Sequence, residues 1–76
     1  MSMSKKSDET AVKALYRYKF NDIALDDYLI VQSVADGHLV WHKRPERIGD
    51  AIVREVHISK TGVIHQAVNG KWVPIK

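Results

Sequence analysis

Glycine-containing turn signals follow one another at short intervals from residue 36 onward: Asp36-Gly37, Ile48-Gly49-Asp50, Thr61-Gly62 and Asn69-Gly70. The segments between them are rich in β-branched residues, which favours an all-β meander over helices. Antiparallel strands joined by tight turns need no more length than these intervals provide. The spacing predicts strands near 28–34, 38–44, 51–59, 63–68 and 71–75. A further strand over 11–20 is expected from Ala14, Tyr16, Tyr18 and Phe20, which alternate with Leu15, Arg17 and Lys19. The same stretch also reads as a helix capped at Ser7, with Asp8 and Glu9 in its first turn and Ala11, Val12, Leu15 and Tyr16 on one face. The expected fold class is therefore all-β, a small curled antiparallel sheet or barrel of five to six strands with SH3-like or OB-like size. If the first segment is helical, the class becomes α+β, an N-terminal helix on an antiparallel sheet.

A chain of 76 residues has room for one domain, and all of its stability must come from packing, because it contains no cysteine. The absence of thiols also removes thiolate zinc sites and cysteine nucleophiles. Residues 1–10, MSMSKKSDET, lack periodic apolar positions and are expected to form a disordered tail ahead of a single small β domain over 11–76. With no long apolar run and no signal-like start, the expectation is a soluble, cytoplasmic protein without a membrane partner. The formal charge of +3 is basic, but too modest to identify a polyanionic partner by itself. Asp22, Asp26 and Asp27 cluster in one place and Lys43, Arg44 and Arg47 in another, which predicts a dipolar surface.

Turn chemistry fixes two registers. Asn69-Gly70 suits a type I′ loop, since both positions need a positive φ, so Val68 pairs with Lys71, Ala67 with Trp72 and Gln66 with Val73. Ser59-Lys60-Thr61-Gly62-Val63 suits a three-residue loop with Gly62 left-handed, so Ser59 pairs with Val63, Ile58 with Ile64 and His57 with His65. One face then carries Val56, Ile58, Ile64, Val73 and Ile75, interrupted by Arg54 and Gln66. This is the expected core, with each apolar side chain contributing roughly 1.5–3 kcal/mol before entropy is charged. The other face carries Glu55, His57, His65, Ala67 and Trp72. For Asp36-Gly37 the expected register pairs Val34 with Leu39 and Gln32 with Trp41.

Ala14-Leu15-Tyr16-Arg17-Tyr18, Trp41 and Asn69-Gly70-Lys71-Trp72-Val73-Pro74 resemble, in that order, the opening strand, central tryptophan and Trp-Val-Pro element of an SH3 domain. The resemblance implies SH3-like topology. It does not extend to proline-peptide binding, because the connection from Tyr18 to Tyr28 is too short for that family's long acidic loop.

Enzyme templates are missing: there is no Gly-rich phosphate loop, no Gly-x-Ser-x-Gly elbow and no His-Glu-x-x-His, so no enzyme, cofactor or metal is expected. Two binding surfaces remain. The stretch His42-Lys43-Arg44-Pro45-Glu46-Arg47 reads as a basic loop leaving the strand of Trp41. Arg17, Lys19, Lys43, Arg44 and Arg47 would neutralise phosphates of nucleic acid while a base stacks on Trp41 or a tyrosine. The alternative is a protein-interaction surface, as in an adaptor or inhibitor, made of Glu55, His57, His65 and Trp72. The oligomeric state is not legible.

Overall fold

The computed structural model describes residues 5–75. One helix, α1 (Lys5–Lys19), is followed by five strands, β1 (Tyr28–Val34), β2 (Gly37–Pro45), β3 (Asp50–Ser59), β4 (Ile64–Val68) and β5 (Lys71–Pro74). The strands form one antiparallel sheet in the order β1-β2-β3-β4-β5, an open meander in which β1 and β5 are the two edges. No helix among the described residues is long and apolar enough to cross a membrane.

The strand expected over 11–20 is not formed, and this leaves the α+β arrangement. Val12, Tyr16 and Phe20 recur at four-residue intervals, so a helix places all three on one face, and the Tyr16 and Phe20 rings stack with centroids 4.6 Å apart. Asp8 in the first turn and Arg17 and Lys19 in the last complement the helix dipole. Ser7 lies inside the helix rather than at its cap. Of the expected N-terminal tail, residues 1–4 lie outside the described residues, while Lys5 to Thr10 belong to α1. The same finding removes the SH3-like barrel: its would-be opening strand is helical, and β1 does not pair with β5 to close the sheet.

Both registers fixed by turn chemistry are present. Ile58 pairs with Ile64 and His57 with His65, and the Ser59 N–H donates to the Val63 carbonyl at 2.9 Å. Ala67 pairs with Trp72 across a loop in which Asn69 (φ 52°) and Gly70 (φ 78°) are both left-handed. The β1–β2 register differs from expectation by two residues: Val34 pairs with Gly37 and Gln32 with Leu39, leaving only Ala35 and Asp36 in the turn. Gly37 enters the ladder because β3 runs against it; a Cβ there would meet the Ile58 carbonyl oxygen and lie 2.8 Å from the Ser59 Cα. A shift of two preserves side-chain parity, so the faces are sorted as expected.

The inner face of the sheet meets α1. Val12 and Tyr16 pack on Leu29, Val40, Val56, Ile58 and Ile64, with Phe20, Ile23, Val31 and Ile75 around them. Midway along β3 the ladder is interrupted. His42 pairs with Arg54 but Lys43 with Ile52, so Val53 is an extra residue forming a β-bulge.

Candidate functional site

The six residues expected to bind nucleic acid are spread over both sides of the molecule. Arg17 is exposed on α1, and Lys19 closes the same helix. Trp41 and Lys43 stand on the outer face of β2, away from the helix, whereas Arg44 points to the inner side and Arg47 is exposed in the β2–β3 loop. The basic stretch is not all loop: β2 continues through Pro45, and only residues 46–49 form the turn, closed by the Glu46 N–H donating to the Gly49 carbonyl at 3.0 Å.

Arg44 is committed to the fold. Its Nε donates to Asp27 Oδ1 and its Nη2 to Oδ2, both at 2.9 Å, a bidentate fork. The same carboxylate accepts from His42 Nε2 at 2.6 Å and from the Ala24 backbone N–H at 3.0 Å. His42 Nδ1 lies 2.8 Å from the Tyr16 hydroxyl, which accepts from Arg54 Nη1 at 2.7 Å. Because the ionised Asp27 carboxylate can only accept, a neutral His42 carries its proton on Nε2 facing Asp27, and its Nδ1 accepts from the Tyr16 hydroxyl, whose oxygen accepts from Arg54. Arg54 in turn forks onto Asp22 at 3.0 and 2.6 Å, and its guanidinium lies 4.1 Å from the Phe20 ring centroid.

This chain of six side chains ties α1, the 20–27 connection, β2 and β3 together beneath the sheet. The Arg44 guanidinium, followed by the backbone N–H of Ala24, holds the Asp27 carboxyl well below the usual carboxylate range, and Arg54 lowers Asp22 likewise. Burial raises the Tyr16 phenol above its ordinary value despite the opposing pull of Arg54. Tyr16 and His42 are closed to solvent, and every link of the chain is occupied by the next residue. Among the described residues no buried side-chain polar atom lacks a hydrogen-bond partner. Of the residues that the sequence suggests as a dipolar surface, Asp27 and Arg44 are thus paired with each other and Asp22 with Arg54, which that reading did not include.

Among the described residues no other element covers the outer face. Glu55, His57, His65 and Trp72, the four residues of the alternative surface, all lie on it. His57 is buried there by its neighbours: its Nδ1 lies 3.3 Å from His65 Nδ1, its Nε2 3.1 Å from Asp36 Oδ1, and its ring 5.8 Å from that of Trp72. Trp41 is half-buried and donates its indole N–H to Glu55 Oε2 at 2.5 Å, while the Tyr28 hydroxyl donates to Asp50. Sequence reasoning missed that Ile52 joins Ile30 and Trp41 on this face. Ile30, Trp41, Lys43 and Ile52 line a shallow hollow of about 290 Å³, and Ile52 is 60% exposed. Ile52 is there because of the Val53 bulge, which no local pattern announces. Among the described residues no group of three or more His, Asp or Glu side chains is placed to hold a metal ion.

No protein-family model, curated protein or solved structure matches this chain. The functional reading therefore rests on the chemistry of its surfaces.

Proposed function

We propose that the chain is a non-catalytic binding module that captures a protein partner through the outer face of its sheet. The observation that carries this reading is the composition of that face: Tyr28, Ile30, Ile52 and Trp72 are 37–60% exposed on one side of the sheet, around the half-buried Trp41. Exposed aromatic and aliphatic anchors gathered on a rigid element are the usual energetic centre of a protein interface. The fixed charges on this side favour a partner with a basic rim, since Lys43 stands against Asp36, Asp50 and Glu55. The same balance disfavours a polyanion, and Arg44, bound to Asp27, contributes little cation to this surface.

The test compares Trp72→Ala and Ile52→Lys with the unaltered chain in pull-downs, alongside far-UV circular dichroism. Loss of the same captured protein in both variants, with the fold retained, supports the reading. Tight binding of short oligonucleotides that weakens steeply with salt would replace it with nucleic-acid recognition around Trp41 and Lys43.

A further inference from the structure

The sheet has two edges, and they are built differently. β5 is four residues long and carries Lys71 at its start and Pro74 at its end, a short edge with a charge and a residue that cannot donate to a ladder. β1 is seven residues long, YLIVQSV, without a charged residue, a proline or a glycine. It pairs with β2 along its whole length on one side. Apart from the ladders, no backbone hydrogen bond among the described residues reaches it. A long, neutral, β-branched edge presents a row of peptide donors and acceptors to any compatible strand, and natural edges are ordinarily guarded against this.

We infer that β1 is a self-association site, at which two copies of this chain pair their β1 strands antiparallel about a two-fold axis and join two five-stranded sheets into one. The occupant follows from the strand's own composition. A two-fold centred on Val31 sets Val31 against itself, Ile30 against Gln32, Leu29 against Ser33 and Tyr28 against Val34 in the partner copy. All seven residues are then paired and no like charges are opposed within the ladder, as a self-complementary interface requires. Asp26 and Asp36 face one another only beyond the strand ends, where both are exposed. Ile30 and Tyr28, 40% and 37% exposed at this edge, gain cross-strand neighbours. The contact shares Tyr28 and Ile30 with the outer face but leaves Trp41, Ile52 and Trp72 open, so it does not depend on the protein-capture reading.

Sedimentation velocity on the full chain, from micromolar to millimolar concentration, tests this. The expected result is an apparent mass rising from 8.7 kDa toward twice that value. In the double variant Ile30→Lys/Gln32→Lys the two symmetry-related pairs of residues 30 and 32 each oppose two lysines, and association should weaken about tenfold with the circular dichroism spectrum retained. Hydrogen exchange on the unaltered chain gives a readout that needs no variant: alternate β1 amides should gain protection with concentration while β5 amides do not. A chain that stays monomeric throughout, or a dimer whose β1 amides exchange independently of concentration, overturns the inference. Trp72→Ala and Ile52→Lys should leave the dimer unchanged, so loss of partner capture and loss of self-pairing are distinguishable.

Discussion

The Tyr16 hydroxyl and His42 Nδ1 lie 2.8 Å apart in an interior where neither side chain meets solvent. Tyr16→Phe keeps the ring and its stacking on Phe20 but strips a partner from both His42 and Arg54. Leaving buried polar groups unpaired costs about 1–3 kcal/mol. Urea unfolding should report this loss, and the melting temperature should fall by about 4–8 °C for each kcal/mol in a domain of this size.

Stability should decline on the acid side through Asp27. Its folded pKa is depressed, chiefly by the Arg44 fork, so the stabilisation is complete above the ordinary Asp value near 3.9 and is lost as pH falls from there toward the folded value. Asp22, lowered by Arg54, has the same sign. Asp27→Asn should reduce stability at neutral pH and make the acid limb shallower below about pH 4. Urea midpoints measured at a series of pH values check both effects, and an unchanged acid limb would show that Asp27 is not its source.

Gly37 and Gly49 should respond differently to alanine. Gly37 has φ 143° and a backbone neighbour where a Cβ would go, so Gly37→Ala should cost about 2–3 kcal/mol. Gly49, with φ 72° and open space around it, should lose only about 1–2 kcal/mol from the left-handed conformation. Paired urea titrations compare the two.

Arg54 uses the flat fork of its guanidinium on Asp22 and Tyr16 and its face on Phe20. Arg54→Lys keeps the charge but loses the second donor and the stacking, and should destabilise by about 1–2 kcal/mol. A double-mutant cycle with Asp22→Asn should show that part of this loss is shared with the carboxylate.

The β half of the fold was legible because its information is local. Asn69-Gly70 and Thr61-Gly62 dictate their own turn geometry, and the resulting registers place His57 beside His65 and Ile58 beside Ile64. Segment 11–20 was ambiguous because Tyr16, Tyr18 and Phe20 satisfy a period of two while Val12, Tyr16 and Phe20 satisfy a helix. In the helix the Tyr16 hydroxyl reaches His42 and Arg54, partners that no local pattern shows. Gly37 was misplaced because the reason for its position is the backbone of β3, distant in sequence. The partners of Asp27 and Asp22 were equally hidden: Arg44 and Arg54 are 17 and 32 residues away. One signal was available and unused, the shared parity of Val40, His42 and Arg44 on a strand whose Val40 side is core.

The extra residue Val53 acts as a change of reading frame within a single strand. On its C-terminal side the even-numbered residues Arg54, Val56 and Ile58 serve the interior; on its N-terminal side the even-numbered Ile52 and Asp50 serve the exterior. Taking Val53 into a regular ladder opposite Lys43 would instead set Ile52 opposite Arg44, turn it toward the helix side and remove it from the hollow beside Trp41. The place of Ile52 in the apolar hollow beside Trp41 thus depends on one peptide unit that takes no place in the ladder.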